Sequence, residues 1–128
     1  MGLEVGLQAA LVHVVSDDDT AKQIGSGDLS VLATPRLLAL CEAACVSALA
    51  DADLSPSSTT VGTRIELEHL RASAVGETVT SAASLTQVDG RLLRFEVVVT
   101  DDSDRLLARA LLTRVLVERD RFMQRLKE

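Results

Sequence analysis

Three side chains in this sequence occupy positions that packing alone does not explain. Glu42 lies in the run from Leu37 to Ala50, where every residue except Glu42 and Ser47 is apolar or Cys. On an ideal helix it points about 120° away from the polar side marked by Arg36 and Ser47, and it shares a face with Leu38, Cys45, Val46 and Leu49. An unpaired buried carboxylate is costly, so Glu42 must find a partner, take up a proton or face a cavity. His69 closes the alternation Thr63, Ile65, Leu67, His69, opposite Arg64, Glu66 and Glu68, and so points to the same interior as the helix. A Glu and a His brought together can serve as a base and its orienting group for proton transfer near neutral pH. Thr34 precedes Pro35 at a helix start, where Thr caps free N–H groups and Pro gives up one that would be orphaned anyway. Backbone N–H groups at such a start stabilise developing negative charge, so a carbonyl held there is polarised for attack, and the Thr34 hydroxyl can position or attack its carbon.

Other reactive residues fit these roles poorly. Cys41 is next to Glu42 in sequence but points about 100° away around the helix, which disfavours a Cys nucleophile. His13, Cys41 and Cys45 carry no recognised ligand spacing, so no metal is expected, and nothing calls for an organic cofactor. Gly25-Ser26-Gly27 lacks a third glycine and a strand-to-helix setting, and reads as a turn rather than a phosphate cradle.

The elements that must position these groups are legible in outline. Val5 to Val15 reads as a first strand stopped by Ser16-Asp17-Asp18-Asp19, and residues 16 to 33 read as loop. A long apolar helix starts at Thr34-Pro35 and ends near Ala52, ahead of a Ser-Pro-Ser-Ser run; it must be wrapped on most sides by protein. Strands follow over Thr60 to Leu70, Thr78 to Val88, Arg91 to Thr100 and Leu106 to Val117. Asp89-Gly90 predicts a type I′ hairpin turn, Asp101 to Asp104 a second turn, and Glu118 to Lys127 a short charged helix. Strand, long helix, then four antiparallel strands is an α+β pattern, and one economical solution is the hotdog fold, an antiparallel sheet wrapped around a long central helix. The open edge of such a sheet predicts a homodimer.

Composition sets the boundaries. A chain of 128 residues that is 47% apolar predicts a single domain over residues 1–128, with a core of Leu, Val, Ala and Ile because there are two Phe and no Trp or Tyr. Aromatic stacking is therefore not expected to drive recognition. The formal net charge of −6 argues against nucleic acid and anionic membrane as partners, and leaves small molecules. Arg91, Arg94, Arg105, Arg109, Arg114, Arg119, Arg121, Arg125 and Lys127 concentrate cations in the last third, where a polyanionic ligand could be met. No stretch approaches the roughly 20 apolar residues of a membrane span, and the N-terminus lacks signal-peptide character, so a cytoplasmic protein with reduced cysteines is expected.

Four stretches, Val31-Leu32-Ala33-Thr34-Pro35, Leu40-Cys41-Glu42-Ala43-Ala44-Cys45, Val61-Gly62-Thr63 running to His69-Leu70, and Val88-Asp89-Gly90-Arg91, resemble the fluoroacetyl-CoA thioesterase-like family of hotdog proteins. The resemblance covers roughly residues 30 to 120. It implies a thioesterase acting on an acyl-CoA, with Thr34, Glu42 and His69 working together, the Gly62 backbone N–H on the substrate carbonyl, Pro35 and Thr63 beside the substrate, and a homodimer with its sites at the subunit interface. Two features depart from the family pattern. No aromatic residue precedes Phe95, so residues 16 to 33 offer no aromatic cover for a very small fluorinated acyl group. The strand around Ala108 to Arg114 also lacks the polar Thr-His-Glu-Arg run of the group. The alternative is a non-catalytic hotdog module that binds acyl-CoA or a small hydrophobic ligand.

Overall fold

The computed structural model describes residues 3–128. Strands β1 (Gln8–Val14), β2 (Ser58–His69), β3 (Thr78–Asp89), β4 (Leu92–Asp101) and β5 (Leu106–Glu118) form one antiparallel sheet in the order β1-β3-β4-β5-β2. The helices are α1 (Ala21–Ile24), α2 (Thr34–Ala48) and α3 (Arg119–Arg125), with a 3-10 turn at Asp17–Asp19. The sheet curls around α2, which is the α+β hotdog arrangement expected from the element order. Alternation along β4 shows how it is held. Leu93, Phe95, Val97 and Val99 are buried against the helix, while Leu92, Arg94, Glu96 and Val98 face outward. From the helix, Leu37, Leu40, Cys41, Ala44, Cys45 and Ala48 complete the core. Phe95 is only 1% exposed, so one of the two Phe residues is core.

Several local details depart from the sequence-based expectation. The helix stops at Ala48 rather than near Ala52, and residues 49 to 52 continue as turn. Ala33, not Thr34, is the N-cap, and no side chain caps the helix start, which leaves the Thr34 hydroxyl free for another partner. Asp89 pairs with Leu92, so Gly90 and Arg91 make the turn, and only Gly90 has positive φ (60°); that is the glycine-first pattern of a type II′ turn, not the expected type I′. The segment from 16 to 33 is more ordered than a plain loop. Thr20 caps α1, Gly25 closes it in the left-handed region, and backbone bridges join Thr20 to Leu32 and Val31 to Ala74. The Asp19 carboxylate anchors this segment, accepting from Ser16 N, His13 Nε2 (2.7 Å) and Arg36 Nε (2.7 Å). Its carbonyl also takes the Ala33 N–H, so it ties the end of β1 to the first turn of α2.

Strand β2 is a sheet edge, paired only with β5, and it contains a bulge. Gly62 lies opposite Arg114 and Arg64 opposite Thr113, which leaves Thr63 as the extra residue. The expected alternation of Thr63, Ile65, Leu67 and His69 therefore breaks at its first member. Beyond the bulge, Gly62 and Thr60 face the helix in place of Thr63, whose hydroxyl instead bonds the Thr113 carbonyl on the neighbouring strand.

Candidate active site

The candidate residues form two groups. At the first turn of α2 the Thr34 Oγ1 lies 2.8 Å from His69 Nδ1. Strand β2 carries His69 to this point because its last inward position lies beside the helix start. Burial lowers the His69 pKa, opposed by a backbone interaction with Arg71, so the ring is neutral at pH 7. In the tautomer with Nδ1 unprotonated, Thr34 donates its hydroxyl proton to the ring. The other ring nitrogen, Nε2, is buried and has no hydrogen-bond partner among the described residues.

Two helical turns on, Glu42 is half-buried, and its Oε2 accepts from Arg114 Nη1 at 3.2 Å. Arg114 is itself buried; its Nε donates to Thr60 Oγ1 at 2.9 Å and its Nη2 to the Thr60 carbonyl at 3.0 Å. A Cβ at position 62 would stand 2.7 Å from Glu42 Oε2 and 3.4 Å from Arg114 Nη1, so any side chain there would push the carboxylate from its present place. The carboxylate thus lies against bare backbone, fixed from one side by a guanidinium. This answers the question raised by its place in an apolar helix, because its partner is Arg114 and not His69. In the sequence Arg114 stands as one member of a cationic tail; its inward position follows from the alternation Ala108, Ala110, Leu112, Arg114 along β5, which is the signal that distinguishes it.

Within one chain the two groups cannot act on the same atom. Thr34 and Glu42 are eight residues apart on one helix, about 12 Å at 1.5 Å per residue, and Gly62 and His69 stand about 20 Å apart along β2. Pro35, Ala43 and Val46, the last 51% exposed, leave an open apolar stripe along α2. The rest of the helix is wrapped by its own chain, as expected, and this stripe is the side left open. A recess of about 480 Å³ lies elsewhere, lined by Glu66, Glu96, Val98, Arg109 and Leu111, and includes none of the candidate residues.

The cysteines take no part in this chemistry. Burial, reinforced by Glu42, pushes the Cys41 thiol up to about 11, and burial pushes Cys45 up to about 12, so both stay protonated at neutral pH. Among the described residues no group of three or more His, Cys, Asp or Glu is placed to hold a metal ion.

A long helix cradled in a five-stranded antiparallel sheet places the chain in the hotdog class. Residues 15–120 match the family described as FlK, fluoroacetyl-CoA-specific thioesterase, and the chain belongs to that family of acyl-CoA thioesterases. The fluoroacetyl-CoA thioesterase FlK superposes with a TM-score of 0.90 at 28% identity, covering 99% of this chain and 97% of that one. A Thr-to-Ser variant of FlK in complex with acetyl-CoA gives 0.90 at 27% identity, covering 98% and 97%. A hot-dog-like protein from Thermanaerovibrio acidaminovorans gives 0.84 at 25% identity, covering 95% and 89%. A search of curated proteins found no significant match. No helix of the described residues is long and apolar enough to cross a membrane.

Proposed function

We propose that this enzyme hydrolyses a short-chain acyl-CoA at a composite site, in which Thr34 and His69 of one protomer meet the partner subunit's Glu42 and Gly62. The observation that carries this reading is the separation of the two groups along α2 and β2, too far for one carbonyl yet symmetric about the middle of an unpaired edge strand. Antiparallel pairing of β2 with a second copy of itself, centred near Ile65 and Glu66, sets Gly62 of each protomer opposite His69 of the other. The same pairing covers the apolar stripe of α2 and satisfies the strand edge. The unpartnered His69 Nε2 then faces a filled site rather than a void.

In that arrangement the acyl carbonyl lies at the start of α2, polarised by N–H groups of the helix turn and of Gly62. The Thr34 hydroxyl, bonded to neutral His69, stands beside the carbonyl carbon, and His69 accepts a proton as attack proceeds. Glu42 supplies the second base, toward water. Pro35 and the bulge residue Thr63 border the substrate, Thr63 through the backbone turn it imposes on Gly62. Short acyl groups are favoured because Leu37, Leu40 and Cys41 fill the space beneath the helix start. A cytoplasmic location belongs to the same reading, supported by two buried free cysteines.

Subunit mixing tests the composite site. Glu42→Gln and His69→Ala proteins, each inactive alone, regain about a quarter of wild-type activity when unfolded and refolded together, since half the dimers are mixed and each mixed dimer holds one intact site. No recovery in confirmed mixed dimers would overturn the composite site, and an active wild-type monomer in sedimentation would remove the dimer altogether.

A further inference from the structure

Where β5 ends and α3 begins, a recess of about 70 Å³ is lined by Arg91, Val117, Glu118, Arg121, Phe122 and Arg125. Three of its lining residues are arginines. None of the three forms an ion pair among the described residues, whereas Arg36, Arg64, Arg105, Arg109 and Arg114 each have a carboxylate within 4 Å. Of the six arginines without an ion pair among the described residues, three line this one recess, in a chain of net charge −6 with 19 acidic residues. The one carboxylate in the lining is already engaged: Glu118 accepts from Asp120 N (3.3 Å) and Arg121 N (2.7 Å), capping α3. Its charge is turned toward the helix backbone, and it occupies the helix start, which is therefore not part of the site. Phe122 adds the one partly exposed aromatic ring of a chain with two Phe and no Trp or Tyr.

We infer that this recess binds a phosphate group of an adenine nucleotide, the end of the thioester carrier remote from sulfur. Guanidinium forks match phosphate oxygens in pairs, and an aromatic face accepts a purine ring. The volume is small against the several hundred Å³ or so of pockets that enclose whole ligands, so it takes one phosphate while the rest of the nucleotide lies across Phe122. Position supports the link to the candidate site. Arg114, which holds Glu42, is in β5 four residues before Glu118, about 13 Å along the strand, and Arg91 pairs through its carbonyl with Leu116 between them. An extended arm with its thioester at Glu42 and Gly62 therefore ends at this recess. The arginines are anion-binding on their own geometry; the carrier's identity rests on the thioesterase reading.

Binding of adenosine 3′,5′-bisphosphate to the wild-type protein, followed by calorimetry, tests the recess without requiring turnover. The Arg121→Gln/Arg125→Gln variant binds it at least about tenfold more weakly, and 0.5 M salt weakens wild-type binding in the same direction. Arg109→Gln, which removes a cation on the outer sheet face, leaves binding unchanged. Kinetically, the ratio of kcat/KM for an acyl-CoA over the matching acyl-pantetheine falls toward one in the double variant. Equal bisphosphate binding by wild type and a folded double variant overturns the site, as does no binding by either. Inorganic phosphate binding as tightly as the bisphosphate overturns the nucleotide assignment. If the bisphosphate binds as expected but no acyl-CoA is hydrolysed, the recess stands and the thioesterase reading fails.

Discussion

At the first turn of α2, Thr34 and His69 meet through one hydrogen bond between neutral groups, near the protein surface, with one ring nitrogen left over. Two turns on, Glu42 is an ion clamped by Arg114, which is in turn held twice by Thr60, and the backbone of Gly62 closes the remaining side. The first region is adaptable and unfinished; the second is rigid and satisfied. The proposed reaction uses both kinds of surface: the Thr34–His69 pair passes a proton and so must change partners, while Glu42 is held in place by Arg114 as the base toward water.

Breaking either region at its chemical atom gives the largest effect. Glu42→Gln and His69→Ala are each expected to lower thioester hydrolysis by at least about a hundredfold with unchanged circular dichroism, and near-normal turnover in both would remove the chemical roles of these residues. Gly62→Ala should cost about tenfold or more in kcat, because its Cβ displaces the Glu42 carboxylate. A Gly90→Ala control, where nothing lies within 4 Å of the added carbon, meets no such contact and strains only the turn, so an equal loss there would refute the steric argument. Arg114→Gln leaves a half-buried carboxylate and the Thr60 carbonyl without their partner; thermal or urea melts should show a loss of about 2 kcal/mol. Thr34→Val, by contrast, should leave stability nearly unchanged, since Ala33 is the cap, while activity drops.

The smallest expected effect separates the two regions by pH. Burial lowers the His69 pKa, so the acid limb of kcat/KM should lie below the ordinary imidazole value of 6.5. For stability the sign is the same: as pH falls through that value the unfolded chain takes up a proton the folded ring resists, and stability declines until the folded ring also titrates. Asp19 acts further down the scale. Hydrogen bonds from Ser16, His13 and Arg36 outweigh its burial and hold its carboxyl well below the usual range, so its contribution is present above about pH 4 and fades as pH falls below it. Asp19→Asn should flatten the acid side of the stability curve; an unaltered curve would show that this carboxylate does not anchor the helix start.

Much of this was legible in the sequence because the relevant signals are periodic. The antiparallel strands, the long apolar helix and the misplaced Glu42 all follow from counting faces, and the hotdog arrangement follows from their order. What escaped was set by partners distant in sequence. Arg114 was hidden among surface cations because its partner Glu42 lies 72 residues earlier, and the anchoring of residues 16 to 33 depends on contacts to Ser73 and Ala74. The Thr34 role was half visible: the helix start was found, but whether its hydroxyl caps the helix or meets His69 depends on a strand that arrives 35 residues later. A type II′ turn in place of I′ at Gly90 was a shift of one residue in register, which alternation alone does not fix.

The bulge at Thr63 works as a phase correction. A strict two-residue period puts His69 and Thr63 on one side of β2 and Gly62 on the other, so a regular strand could offer its histidine or its glycine to the helix but not both. One unpaired residue resets the count, and both halves of the strand then present the inward face that each needs. Adding one further residue to the strand without a second bulge would turn one end of it inside out, whereas deleting Thr63 would remove the extra residue and the irregular step together and leave both inward faces in place. The proposed pairing of this histidine and this glycine, an odd seven steps apart in sequence, thus works only in combination with one irregular step, a constraint of parity rather than of residue type.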